Sequence, residues 1–316
     1  MSEAAPIVFV SREDAANAAD WVQALQQAMP GERIVPFDQL DEAARQQCQI
    51  AVVANPDPQR LRSLPQLRWV HSVWAGVERL APELRDSGLQ LTRLVDPLLS
   101  STMAEAVLAW TLYLHREMPL YAQRQRFRVW QAEQYVLPEQ RTVGILGLGT
   151  LGVAAARSLL AARFTVCGWS RTARSVEGVE TYGGEQGLAQ MLGKTDILVC
   201  LLPLTADTRG LLDAERLAML PPQAQLINFA RGPIIDDAAL CDALDSARLR
   251  HAVLDVFATE PLPPDQWHWT HPGVTVLPHC SAPTNRATAS AIVAGNVRHF
   301  RQTGEIMANV DLERGY

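Results

Sequence analysis

Short apolar runs rich in Val and Ile, bounded by Pro, Gly, Asn or Asp, recur along this chain. They alternate with stretches whose apolar positions are spaced like one face of a helix. In the first hundred residues Ile7 to Val10, Ile34 to Phe37, Ile50 to Val53 and Arg68 to Val73 read as strands, and Asp14 to Met29 has helical spacing through Ala18, Trp21, Val22 and Leu25. Pro30-Gly31, Asn55-Pro56 and Pro58 punctuate them as turns. Thr102 to His115 is apolar enough for a buried helix, with Ser100 or Ser101 expected as its N-cap. Further strands are predicted at Thr142 to Leu146, Phe164 to Trp169, Ile197 to Leu202, Gln225 to Phe229, His251 to Val256 and Val274 to Leu277. Helices are predicted at Ala214 to Leu220, Asp237 to Ala247 and Thr288 to Arg301. Near-continuous runs such as Ile197 to Leu202 suit strands buried on both faces of a parallel sheet. The expected fold class is therefore α/β, a doubly wound parallel sheet with a second, smaller flavodoxin-like α/β domain.

The segment from Arg141 to Arg171 organises the rest. A strand leads into Gly147, Gly149 and Gly152 spaced G-x-G-x-x-G, with Thr150 and Leu151 between them, and an Ala/Leu-rich helical stretch follows to Ala162. In a dinucleotide clamp the first glycine permits the turn, the second lets the backbone approach a pyrophosphate, and the third lets helix and strand pack closely. The phosphates would sit at the helix N-terminus, where unpaired N–H groups and the dipole favour an anion. A clamp of this kind belongs to the Rossmann fold. An ordinary strand-to-helix turn is the competing reading of three glycines alone. The next strand ends in Ser170, Arg171 and Thr172, where cofactors lacking a 2′-phosphate are held by an Asp or Glu. A guanidinium in place of the carboxylate suits a phosphate, with Arg174 adding to the same pocket, so NADPH is expected over NADH. The alternative is an exposed arginine on a turn, with NADH also used.

At 316 residues the chain exceeds what one core usually supports, which favours two domains. The smaller is expected to be discontinuous, residues 1–98 with 284–316, around a dinucleotide-binding domain at 99–283. Net charge of -6 gives no basic field for nucleic acid, so an anionic substrate needs local positive groups. No apolar run approaches the length of a membrane span and the N-terminal stretch has no basic start, which together read as cytoplasmic. Five scattered cysteines without C-x-x-C spacing suggest neither a disulfide framework nor a zinc site. Four are expected in the core and Cys280 at a more exposed position. Between Arg116 and Trp130, arginines interleave with Tyr121, Phe127 and Trp130. That mixture reads either as a subunit contact or as a solvated face with packed rings.

Strand C-terminal ends are where such a sheet presents its chemistry. Three polar residues follow successive strands there: Arg231 in NFARG, Glu260 in DVFATEP and His279 in LPHCSAPT. Reduction of a 2-oxo acid needs a cation for the carboxylate and carbonyl, an acid for the carbonyl oxygen, and a group that keeps that acid protonated. Arg, His and Glu meet those needs, and neither a nucleophile nor a metal is required. Singly, each has a plainer reading, as a strand cap, a turn residue before proline or a surface histidine.

GLGTLG at 147 to 152, LPLTADTRGLL at 202 to 212, NFARGPIIDDAAL at 228 to 240, LDVFATEPLP at 254 to 263, PHCSAPT at 278 to 284 and the closing VDLERGY form one ordered set. It resembles the D-isomer-specific 2-hydroxyacid dehydrogenase family over nearly the whole chain, and within it the glyoxylate/hydroxypyruvate reductase A branch. The resemblance implies that Arg231 binds the substrate carboxylate and carbonyl, and that Glu260 pairs with His279. His279 would be the general acid in reduction and the base in oxidation. Ala75 and Gly76, in the turn SVWAGVERL, would form a backbone cradle for the carboxylate beside Trp74. Leu202, Pro203, Thr208, Ala230 and Asp255 would line the cofactor, Asp255 near the nicotinamide carboxamide. A homodimer acting on a small 2-oxo acid, with a cleft closing between domains, is the expected whole. Two departures bear on substrate. Cys280, Ser281 and Ala282 stand where many relatives have Gly-Gly after the histidine. Trp74 replaces a small residue and either faces the pocket, favouring short substrates, or packs against the helix from Thr102. Two rival readings are a reductase of a bulkier oxo acid and a non-catalytic NADPH-binding regulator.

Overall fold

The computed structural model of the protein describes residues 5–172 and 174–313. The first four residues and the last three of VDLERGY lie outside them. By internal contacts the chain divides into two units, Met1–Leu98 with Thr284–Tyr316, and Leu99–Pro283.

The first unit alternates β1 (Ile7–Ser11), α1 (Ala15–Ala28), β2 (Ile34–Pro36), α2 (Glu42–Arg45), β3 (Ile50–Ala54), α3 (Pro58–Arg62), β4 (Trp69–Ser72), α4 (Ala81–Leu84) and β5 (Gln90–Thr92). Its strands are parallel in the order β2-β1-β3-β4-β5, the flavodoxin-like winding. β3 is buried along its whole length, as its uninterrupted Ile-Ala-Val-Val-Ala demands of a central strand. Asp14, Asp41 and Asp57 cap α1, α2 and α3 by accepting backbone N–H groups of the first turn. One face of the sheet packs on α1 and the last helix through Trp21, Leu25, Val293, Val297 and Phe300.

A long helix, α5 (Pro97–His115), leads into the second unit. It begins five residues before Thr102, so Ser100 and Ser101 lie inside it rather than at its cap. Asp96 takes the capping role, its Oδ1 accepting the Leu98 N–H at 2.8 Å, with Pro97 at the first helical position where no N–H is needed. Then come α6 (Met118–Phe127), β6 (Thr142–Leu146), α7 (Thr150–Ala161), β7 (Thr165–Ser170), β8 (Glu180–Gly183), α8 (Gly184–Leu192), β9 (Ile197–Cys200), α9 (Ala214–Met219), β10 (Ala224–Asn228), α10 (Asp237–Asp245), β11 (Leu249–Leu254), β12 (Val274–Val276) and, in the first unit again, α11 (Arg286–Thr303). The seven strands are parallel in the order β12-β11-β10-β9-β6-β7-β8. Chain order reverses between β6 and β9, the switch point at which doubly wound sheets open a crevice.

The edge strand β8 and α8 were not anticipated, because Glu180–Gly183 is polar and only partly covered and carries no apolar run. α6 buries none of its residues, and Phe127, Trp130 and Tyr135 around and beyond it are exposed. Cys48, Cys167 and Cys200 are buried, Cys241 is half-buried and Cys280 is exposed, so three cysteines rather than four belong to the core. Among the described residues no helix is long and apolar enough to cross a membrane.

Candidate active site

The switch point holds the glycine loop. Gly147 has φ 104, a left-handed conformation that a side chain would strain, and a Cβ there would lie 2.9 Å from the Leu201 carbonyl. A Cβ at Gly152 would come within 1.9 Å of the Gly147 carbonyl, whereas one at Gly149 would meet nothing within 4 Å. So Gly152 is required by close packing and Gly149 faces open space. Gly149 is the N-cap of α7 and offers no side-chain cap, which leaves the helix N-terminal N–H groups for an anion. This loop suits the phosphates of a nucleotide.

Loops flanking it hold other anticipated residues. Beyond β7, Ser170 Oγ donates to the Thr172 carbonyl at 2.7 Å, Arg174 Nη1 donates to the Leu148 carbonyl at 3.2 Å, and Arg171 pairs with Asp207 at 3.1 Å. Beyond β9, Thr208 Oγ1 donates to the Pro203 carbonyl at 2.7 Å and accepts the Thr205 N–H at 2.8 Å, which closes the loop on itself. Leu202 is buried against the glycine turn.

Past β10 the chain presents Ala230 and Arg231. Asn228, buried at the strand end, accepts the Ala230 N–H at 3.1 Å and donates to the Arg231 carbonyl at 3.1 Å. Arg231 Nη1 also donates to the Ala230 carbonyl at 2.6 Å. The backbone of Gly232 presses against the next loop, where an added Cβ would lie 2.1 Å from the Phe257 carbonyl carbon. Neither Asn228 nor Gly232 was among the candidate residues. A polar residue ending an apolar strand was a usable signal for the first, but only the tertiary fold shows what Gly232 touches.

Past β11, Glu260 accepts the Phe257 N–H at 2.9 Å through Oε1, and its Oε2 accepts from His279 Nδ1 at 2.7 Å. That leaves Nε2 as the nitrogen of His279 able to exchange a proton with a ligand. The Glu260 hydrogen bond raises the His279 pKa above its ordinary value, while burial and the Arg231 charge oppose the rise. Burial opposes ionisation of Glu260, yet the bonds from His279 and the Phe257 N–H hold its carboxyl below the usual value. His279 has φ 51, left-handed for a residue with a side chain. Asp255, buried at the end of β11, holds that turn by accepting the Cys280 and Ser281 N–H groups at 2.7 and 3.0 Å. Arg231, Glu260 and His279 thus come together on three adjacent loops. This is a proton-holding dyad beside a cation, an arrangement able to protonate a carbonyl oxygen.

In the first unit, Trp74, Ala75 and Gly76 follow β4. Ser72 Oγ accepts the Trp74 N–H at 3.0 Å, and among the described residues no backbone hydrogen bond engages the Ala75 or Gly76 N–H. The Trp74 ring packs edge-on against Trp21 of α1, with centroids 5.6 Å apart.

Residues 108–281 match the family described as D-isomer specific 2-hydroxyacid dehydrogenase, NAD binding domain. Over 306 residues, 95% of this chain and 97% of the relative, the chain is 35% identical to glyoxylate/hydroxypyruvate reductase A of Salmonella paratyphi B. Among solved structures it is similar to a D-isomer specific 2-hydroxyacid dehydrogenase from Xanthobacter autotrophicus Py2 in complex with NADPH and MES. That match has TM-score 0.91 and 38% identity, covering 99% of this chain and 100% of the other. An NADPH-dependent glyoxylate/hydroxypyruvate reductase from Sinorhizobium meliloti, solved with NADP and sulfate, matches at TM-score 0.89 and 34% identity, covering 99% of this chain and 100% of its own.

Proposed function

The chain belongs to the D-isomer specific 2-hydroxyacid dehydrogenase family, and from that premise we propose that it reduces small 2-oxo acids with NADPH, glyoxylate to glycolate and hydroxypyruvate to D-glycerate. The observation that carries this reading is the 2.7 Å bond between Glu260 and His279, set within the electrostatic reach of Arg231.

With its phosphates at the glycine loop, a bound NADPH would supply the hydride from its nicotinamide ring. Gly147, Gly149, Thr150, Leu151 and Gly152 would hold its phosphates, and Ser170, Arg171 and Thr172 the adenosine end. Leu202, Pro203, Thr208, Ala230 and Asp255 would line the remainder. The Arg231 guanidinium binds the substrate carboxylate and polarises the carbonyl. His279 releases the Nε2 proton to the carbonyl oxygen as the adjacent carbon is reduced. Glu260 steadies the imidazolium before transfer and keeps Nδ1–H in place afterwards. His279 then regains its proton from solvent. The Ala75 and Gly76 N–H groups are assigned to the substrate carboxylate, and Trp74 to limiting substrate size.

Such chemistry draws on a cellular pool of reduced nicotinamide, and we assign the enzyme to the cytoplasm. We assign it as a homodimer joined through the exposed aromatic segment around Phe127 and Trp130. Sedimentation at the mass of one chain would reject the dimer.

The test of function is the initial rate of cofactor oxidation with glyoxylate and hydroxypyruvate, using NADPH and NADH side by side. Turnover with a strong NADPH preference is expected, together with its loss in Arg231→Ala. NADPH that binds yet is consumed with no oxo acid would overturn the catalytic reading, and equal use of NADH would overturn the cofactor choice.

A further inference from the structure

At the end of β7 the sequence offers Arg171 and no carboxylate, but the fold brings a carboxylate to it from elsewhere. β7 and β9 lie on either side of β6, so the loops that leave their C-terminal ends flank the glycine turn together. Asp207, on the loop after β9, places Oδ2 3.1 Å from Arg171 Nη1. The aspartate is on a braced turn. Thr205 and Thr208 bond across it, the Arg209 N–H donates to the Thr205 carbonyl at 3.0 Å, and the Gly210 N–H donates to the Pro233 carbonyl at 2.8 Å. The two side chains are 53% and 70% exposed, so the ion pair itself adds little to stability. Its position matters more than its strength.

We propose that Asp207 is a second specificity-determining residue at the adenosine end of the cofactor site, acting against the preference that Arg171 creates. This rests on the assignment of Arg171 to the ribose 2′-phosphate. A carboxylate touching the same guanidinium competes with that phosphate and repels it. Toward a ribose carrying only hydroxyls the same carboxylate is an acceptor, the role that Asp or Glu plays at the strand end in NAD-binding relatives of this architecture. Asp207 therefore weakens binding of the phosphorylated nucleotide, strengthens binding of the plain one, and narrows the gap between them.

The experiment is calorimetric titration of the intact enzyme with adenosine 2′,5′-bisphosphate and with 5′-AMP, which reads the adenosine end without turnover. In Asp207→Asn the bisphosphate should bind about fivefold tighter, the size expected from removing one screened like charge. Binding of 5′-AMP should weaken, and an unchanged affinity would remove the acceptor role given to Asp207. Asp207→Glu, which keeps the charge, should stay near wild type. Unchanged or weaker bisphosphate binding in Asp207→Asn, with wild-type preference intact, removes Asp207 alone. If wild type does not prefer the bisphosphate, or Arg171→Ala keeps the wild-type preference, the proposal falls together with the assignment of Arg171.

Discussion

The two units wind parallel strands by the same right-handed alternation, five in one and seven in the other, yet they use their polar residues differently. In the first unit Trp69, Thr92 and His71 bond inward: Trp69 Nε1 to Thr92 Oγ1 at 2.8 Å, Thr92 Oγ1 to the Met307 carbonyl at 2.9 Å, and His71 Nε2 with Asn296 at 2.9 Å. In the second unit the buried Asn228 and Asp255 sit at strand ends and bond forward into loops. Asn228 braces Arg231, and Asp255 braces the turn at His279. Two histidines condense the contrast. Burial drives the His71 pKa down to about 4 and keeps it neutral, whereas the Glu260 hydrogen bond raises that of His279. The architecture is shared, and the chemistry comes from the strand ends where Asn228 and Asp255 brace Arg231 and the turn at His279.

The sharpest way to break this contrast is to remove the outward-facing histidine. His279→Asn is expected to lower kcat by about 10²- to 10⁴-fold, the usual share of a positioned general acid. Asn tolerates the left-handed backbone at φ 51, so the fold should survive, as a far-ultraviolet spectrum will report. In the first unit His71→Asn should leave turnover of the folded protein near wild type. Equal losses of turnover in the two variants would erase the distinction between the units.

A smaller effect, read in pH, separates the partners of the dyad. Reduction needs His279 protonated, and its raised pKa keeps that form present above the ordinary histidine range. The rate is therefore lost as pH climbs through the raised value. Glu260→Gln removes the largest cause of the rise and should move this falling limb of kcat/KM toward lower pH. A loss of about 10- to 100-fold at neutral pH is expected, the size of one charge-assisted hydrogen bond. A limb that stays in place would show that Glu260 does not set the protonation of His279.

How much of this was legible in sequence follows from how local each cause is. The glycine loop, the strand ends and the order of Arg231, Glu260 and His279 were readable because each is a signal within a few residues. Asp96-Pro97 was also a local signal for the start of α5, outweighed by the serines nearer the apolar run. Asp207 was not readable from the end of β7, because it lies 36 residues away and arrives through strand order. Gly232 looked like any glycine after an arginine, and its contact with Phe257 depends on how two loops stack. β8 escaped because a polar edge strand lacks a periodic apolar face.

The finest comparison sets one glycine of each unit against the other. Gly152 needs to be glycine for space, since a Cβ would meet the Gly147 carbonyl at 1.9 Å, a backbone atom that cannot rotate aside. Gly88, in the first unit, needs to be glycine only for conformation, with φ 71 and nothing within 4 Å of an added Cβ. Gly88→Ala should cost about 1 kcal/mol in urea denaturation, the left-handed penalty of one side chain, with no change in nucleotide affinity. Gly152→Ala must push the start of α7 away from β6, at roughly 1–3 kcal/mol, and in doing so displaces the N–H groups assigned to phosphate. Its affinity for adenosine nucleotides should therefore fall at least as steeply as its stability. If the two alanines cost the same and neither moved nucleotide affinity, the close approach of Gly147 and Gly152 would be a packing detail with no part in the clamp.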